Sequence, residues 1–241
     1  MTGHYSNNVR SIVLSSRLPI LLVNMPTLIQ EKIKKKNYLD TWARNGRENI
    51  QNILEKMDEI ECSSAEQREE LKRNRVLLQC HWLTGFRISE VLSLRRDNFR
   101  FDMSRKHDRI ENVINLKQKS DSRGNLKTPL IYPKDDPFAP EVRQYVKSMK
   151  NMKYLLFPSR RVVFGWTYKI EYDRPMSRKY VWEIYKKLGV PQTHIMRHSR
   201  LTDLAAKGFN EIQLQAYSSH RSTDSLRDYV QKSPKMYEDL M

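Results

Sequence analysis

Apolar residues recur at three- and four-residue spacing through most of the chain, and they alternate in one central stretch only. Thr27 can cap a helix in which Leu28, Ile29 and Ile33 share a face. Asn45-Gly46 signals a turn, and a helix is predicted over 47–60 with Ile50, Ile53, Leu54 and Met57 inward. Ser64 followed by Gln67 is a capping-box pattern for a helix carrying Leu71, Val76, Leu77, Cys80 and Leu83 into Thr84-Gly85, where the glycine stops it. Another helix is predicted to start near Ser89. Glu111–Lys119 and Asn125–Tyr132 predict a β-hairpin closed by Asp121-Ser122-Arg123-Gly124. Further helices are predicted over 140–149, 177–188 (Tyr180, Val181, Ile184, Tyr185 and Leu188 as its stripe), 194–207, 210–217 and 223–230. Tyr154–Pro158 reads as a strand or an extended link. Residues 1–25 are less legible: Val9–Leu14 is a short strand or helix, and Pro19 and Pro26 interrupt the stretch after it. The expected fold is therefore mainly α with a small β-hairpin. A short helical region, 1–65, precedes a larger domain, 66–241.

Composition narrows the partners. The 241 residues carry 44 Lys and Arg against 28 Asp and Glu, a formal charge of +16. Such a balance points to a polyanion, nucleic acid before an anionic membrane. The excess is local: residues 143–200 hold 14 basic and 3 acidic side chains. Lys34, Lys35 and Lys36, close to Tyr38 and Trp42, suit a nucleic-acid backbone or a solvated helix face equally. Arg160, Arg161, Arg178 and Lys179 are further candidates for DNA contact. Cys62 and Cys80 are too few for a disulfide framework or a zinc site. No apolar run reaches about 18 residues, and Leu18–Val23 is too short for a signal-peptide core, so a membrane role is not expected and an intracellular location is.

Two short constellations dominate the C-terminal part. His194-Ile195-Met196-Arg197 puts a histidine and an arginine on one helix face, and His220 precedes Tyr229 by nine residues. Arg87 sits at the start of a predicted helix, where backbone N–H groups also favour an anion. Two guanidinium forks can grip the non-bridging oxygens of a phosphodiester, most strongly as negative charge grows under attack. A tyrosine, with a pKa near 10, needs help to attack. Cations stabilise its phenolate, and His194 or His220 can take the proton. Most of the 12 tyrosines must be structural, among them Tyr132, Tyr180, Tyr185 and Tyr217, and Arg95, Arg96, Arg100 and Arg200 suit surface ion pairs.

Taken together, these motifs resemble the tyrosine recombinases, the phage-integrase family of DNA strand-exchange enzymes. Thr84–Leu94 (TGFRISEVLSL) resembles the first arginine box, and Leu156-Phe157-Pro158-Ser159 a link ahead of the second. His194-Ile195-Met196-Arg197-His198-Ser199 resembles the His-x-x-Arg box, and the His220–Tyr229 spacing matches the family's. The similarity covers residues 70–232.

The resemblance implies that Tyr229 attacks the scissile phosphate to give a 3′-phosphotyrosine and a free 5′-hydroxyl. Arg87 and Arg197 would clamp the phosphate, His194 move a proton, His220 hydrogen-bond the phosphate and Glu90 support the site. A hairpin lysine would protonate the leaving oxygen: Lys119, with Lys117 as runner-up. No metal, nucleotide or other cofactor is implied. The implied partners are double-stranded DNA, a homotetramer on two sites, and accessory DNA-bending proteins, in the nucleoid of a cell and encoded by a virus, plasmid or other mobile element. Alternatives are a type IB topoisomerase-like or telomere-resolving nicking-closing enzyme, and a DNA-binding protein with a degenerate site. The chain departs from the family in one turn: Ser218-Ser219-His220 stands where Leu-Gly-His is usual, which predicts an altered backbone before His220. The N-terminal region is shorter than the family's DNA-clamping domain, and Met236, Tyr237 and Leu240 are candidate anchors for docking of the tail on a neighbour.

Overall fold

Helix-forming stretches interrupted by glycines and prolines make a mainly helical fold, with two small antiparallel sheets among the described residues. The computed structural model describes residues 27–102, 104–116, 126–164, 167–220 and 222–231. Among these lie helices α1 (Thr27–Arg44), α2 (Gly46–Asp58), α3 (Ala65–Thr84), α4 (Ile88–Leu92), α5 (Ala139–Ser148), α6 (Arg178–Lys187), α7 (Thr193–Ala206), α8 (Glu211–Ser218) and α9 (Asp224–Gln231). Strands β1 (Phe99–Arg100), β2 (His107–Ile110) and β3 (Leu130–Pro133) form one sheet in that order, and β4 (Pro158–Phe164) pairs with β5 (Thr167–Pro175) in the other. The chain divides into two compact units between Tyr38 and Leu39. In the first, Lys34, Lys35 and Lys36 are exposed on α1. The hydrophobic core and the candidate site both belong to the second.

Helix α3 is the axis of that unit. The Ser64 hydroxyl accepts from the Gln67 backbone N–H at 3.2 Å, but Gln67 reaches back to the N–H of Ser63 rather than Ser64. From Val76 to Thr84 every residue is buried, so the helix is enclosed on all faces, as a central helix must be. It packs against α2, α4, α5 and α7. The expected inward face of α2 (Ile50, Ile53, Leu54, Met57) is buried in the same core. Gly85 ends α3 in the left-handed region (φ +55°), and its N–H donates to the carbonyls of His81 and Trp82. A Cβ there would be strained and would meet Arg200 and Tyr217 at 3.1 Å.

Three expectations need correction. The central hairpin begins earlier than alternation suggested: β2 pairs with β3 from His107↔Pro133 to Ile110↔Leu130, and among the described residues beyond it the bridge Ile114↔Leu126 follows. Asn112 adopts φ +57°, which breaks the ladder, and the Asn98 amide donates to the carbonyls of Glu111 and Asn112. The loop Asp121–Gly124 lies outside the described residues, as do Val9–Leu14, Leu18–Val23, Met236, Tyr237 and Leu240. The β4–β5 hairpin was missed, because only Tyr154–Pro158 read as extended. Leu155, Leu156 and Phe157 do form a buried link, tied to Leu94 and Tyr172 by backbone hydrogen bonds. On α6 the buried stripe is Val181, Ile184 and Tyr185; Tyr180 is exposed and its hydroxyl donates to Glu70 at 2.6 Å.

Candidate active site

The loop joining α3 to α4 is held by its carbonyl groups. Tyr217 donates its hydroxyl proton to Leu83 O. Arg197 Nη1 donates to Gly85 O at 2.8 Å, and the buried His81 ring lies 3.1 Å from Phe86 O. Since that carbonyl only accepts, His81 Nε2 carries the proton and Nδ1 accepts from Tyr185 Oη at 2.9 Å. The next residue is Arg87, so three separate elements fix where its backbone lies. Burial, first of all, pushes the His81 pKa down to about 3, which keeps the ring neutral.

Arg197 comes from α7 and is 1% exposed. Its Nη2 donates to Ser218 O at 2.8 Å and lies 3.2 Å from His220 Nδ1. One side chain thus ties the first-box loop to the turn before His220. Burial and then the nearby Arg87 charge lower its pKa to about 10, so it remains a cation at neutral pH.

The turn before His220 keeps a left-handed residue despite having no glycine. Ser219 adopts φ 56°, ψ 43° and caps α8, a conformation that glycine takes more readily. Ser218 Oγ lies 2.5 Å from His220 Nδ1. Arg197 Nη2 also lies 3.4 Å from Nε2, and the Ser218 hydroxyl donates to Leu214 O at 2.6 Å, so these contacts are compatible with either neutral tautomer. Burial, then Arg197 and Arg87, push the His220 pKa down to about 4. At neutral pH it is an uncharged ring with one N–H to offer.

Arg87 opens α4, but the anion at that helix start is the protein's own. Glu90, fully buried, takes the Arg87 backbone N–H at 2.9 Å and its Nη1 at 3.0 Å. It also takes Lys127 Nζ at 2.8 Å. Burial alone would raise the Glu90 carboxyl; Lys127, the hydrogen bonds and Arg87 outweigh it and hold the group below its ordinary value. The Lys127 side chain is 1% exposed and its Nζ sits 3.7 Å from the Phe86 ring centroid. Sequence reasoning missed Lys127. It precedes β3 in a run read as hairpin strand, where strict alternation sets it opposite the buried Leu130 and Tyr132 and with the exposed Ile131, so the sequence pattern held no sign of its burial. Lys119 and Lys117 lie outside the described residues.

Arg87, His194 and Arg197 line one cleft of about 390 Å³ with His81, Phe86 and Arg178. His194 is exposed at its edge. Tyr229, on α9, is half-buried against Leu201, Leu204, Leu214 and Leu226, with its ring edge-on to His198 at 5.0 Å between centroids. Burial raises its pKa and the Arg197 charge lowers it, leaving the net shift upward. The phenol is therefore protonated at neutral pH. Lys179 is exposed beside Arg178 at the start of α6. Arg160 is half-buried in a different hollow, 3.7 Å from Glu70, and Arg161 pairs in register with Lys169 on the β4–β5 hairpin. Arg200, expected on the surface, is 3% exposed: it donates to Asp203 at 3.0 Å and to Tyr217 Oη at 3.1 Å.

Three guanidinium groups (Arg87, Arg178 and Arg197) and two imidazoles (His81 and His194) line the cleft, while His220, held by Arg197, lines a neighbouring hollow; such a set can bind a phosphate and stabilise added negative charge on it. Residues 46–236 match the model of the phage integrase family, and the chain belongs to that family. It is similar in structure to the XerH site-specific recombinase bound to palindromic difH substrate in a post-cleavage complex, with 21% identity and a TM-score of 0.55 over 80% of this chain and 50% of that one. The pre-cleavage complex of XerH with difH gives 21% identity and a TM-score of 0.52 over 76% and 48%. At this identity the likeness is one of fold, and the chain spans about half the length of these relatives. A comparison with curated proteins gave no match.

Proposed function

We propose that this chain cleaves and rejoins double-stranded DNA at specific sites through a 3′-phosphotyrosine. The observation that carries the reading is the buried Arg197, which links the Arg87 loop to His220 while Arg87, Arg197 and His194 open onto one cleft. In the proposed reaction the Tyr229 oxygen bonds to phosphorus as its proton passes to His194. The bond to the 5′-oxygen breaks, and Lys119 protonates that oxygen. Arg87 and Arg197 bind the non-bridging oxygens as their charge grows, and the neutral His220 ring donates its N–H to one of them. Attack by a 5′-hydroxyl reverses the steps. One phosphodiester is exchanged for another, so the reaction needs no external energy.

The Xer structures are of DNA complexes, which supports a duplex partner. Exposed Arg178 and Lys179 at the start of α6, with Lys34, Lys35, Lys36, Arg160 and Arg161 elsewhere, would contact its backbone. We further propose assembly as a tetramer on two duplexes, action inside the cell on a mobile or chromosomal element, and assistance by DNA-bending proteins. None of the described helices is long and apolar enough to cross a membrane.

The test needs no knowledge of the natural site. The protein is incubated with a randomised duplex library carrying nicks, then denatured, and DNA that stays attached is captured and sequenced. An adduct that disappears in Tyr229→Phe supports the reading and yields the site. An adduct that survives the substitution would assign another nucleophile. Strand exchange between two recovered duplexes separates a recombinase from a nicking-closing enzyme.

A further inference from the structure

Lys127 is buried beside the cleft but does not open onto it. With its side chain 1% exposed, the ammonium cannot reach a DNA oxygen from where it lies, so it is not a catalytic residue in this arrangement. Its partners are specific: Glu90 Oε2 at 2.8 Å and the face of Phe86. Glu90 in turn holds both the backbone and the side chain of Arg87. A carboxylate paired with Arg87 alone would cancel the charge of that arginine. With Lys127 present, the three groups keep one net positive charge, and Arg87 is the member that lines the cleft.

We propose that Lys127 is a positioning residue for the phosphate clamp: by neutralising Glu90 in the interior it leaves the Arg87 charge available to the scissile phosphate. The inference rests on the cleft being the site of DNA cleavage. Burial, with the charges of Arg197 and Arg87 and against the opposing pull of Glu90, pushes the Lys127 pKa down to about 8. The charged groups around it are Glu90 and Arg87 on α4 and Arg197 on α7, with His220 also within electrostatic reach. Above pH 8 the ammonium is lost while Glu90 stays ionised, and the clamp weakens.

Single-turnover cleavage of the captured duplex reads this. Lys127→Met should slow cleavage by about 10²–10³-fold, the cost of one lost transition-state donor, with DNA binding within about twofold. Lys127→Arg should recover most of the rate and abolish the fall above pH 8. Because Lys127→Met leaves a buried carboxylate short of a partner, the Glu90→Gln/Lys127→Met double variant keeps the test valid if the single one unfolds. With no Glu90 charge left to cancel, Arg87 again keeps one net positive charge, so the double variant should cleave far faster than Lys127→Met, within about tenfold of the wild-type rate. A duplex with a 5′-bridging sulfur, whose leaving group needs no proton, should not restore Lys127→Met. Restoration would make Lys127 the general acid and overturn the proposal, as would a wild-type rate in Lys127→Met, a double variant that cleaves about 10²-fold or more below wild type, or persistence of the alkaline fall in Lys127→Arg. If the wild-type protein forms no adduct, the assignment of the cleft fails, and the ion pair is judged alone by NMR of 15N-lysine-labelled protein. One ammonium titrating near pH 8, and lower still in Glu90→Gln, supports the pairing. Lysines that all titrate together and ignore Glu90→Gln overturn it.

Discussion

At the scale of single residues, the site is built from side chains whose charge is set by burial. His81 and His220 are held neutral, with pKa values pushed down to about 3 and about 4. Both lie below the unfolded value, so between the folded and unfolded pKa the unfolded chain binds more protons and stability falls as pH falls. The window opens at about pH 6.5, above the range in which carboxylates titrate. Chemical denaturation should show a stable plateau above pH 7 and a loss by pH 5 of about 2 kcal/mol from the fully buried His81 alone. His220, nearly half solvated, adds less. A flat profile over that range would mean that the rings are solvated or charged in the folded state. Much of this residue scale was legible in the sequence. Arg87, His194, Arg197, His220 and Tyr229 stand out in the sequence through their motif context, and the structure brings Arg87, His194 and Arg197 to one cleft and joins His220 to Arg197. Lys127 was not, because a buried lysine differs from a surface one only in its three-dimensional surroundings. Arg200 was misjudged for the same reason: its partners, Asp203 apart, come from remote parts of the chain.

At the scale of elements, helices were easier to read than strands. The ends of α3, α5 and α6 carry local signals: Ser64 and Gly85, Pro140, and Ser177, whose hydroxyl accepts from the Tyr180 N–H. The sheets have no such punctuation. Asn112 breaks one ladder through a side-chain contact with Asn98, which sequence alternation cannot reveal. The β4–β5 hairpin hid in the most basic part of the chain. The turn before His220 carries its own prediction. A residue other than glycine in the left-handed region costs about 1–2 kcal/mol, so Ser219→Gly should stabilise the protein by about 1 kcal/mol in urea denaturation. It should leave the Arg197–Ser218 contact in place. Loss of stability would mean that the Ser219 side chain makes a contact outweighing its backbone strain.

At the scale of the whole molecule, charge and fold point to the same partner. A net charge of +16 on a phage-integrase family domain predicts binding dominated by release of counterions from DNA. The logarithm of the binding constant should fall linearly with the logarithm of salt concentration, by about 0.9 for each phosphate neutralised. Fluorescence anisotropy on a duplex can read this; a slope near zero would contradict an electrostatic clamp. The central claim is narrower, that Tyr229 becomes joined to DNA. The direct measurement is mass spectrometry of the captured adduct after nuclease and protease digestion. The account predicts a nucleotide attached through its 3′-phosphate to the peptide containing Tyr229, and to no other peptide. A nucleotide on a different residue, or one attached through its 5′-phosphate, would contradict it.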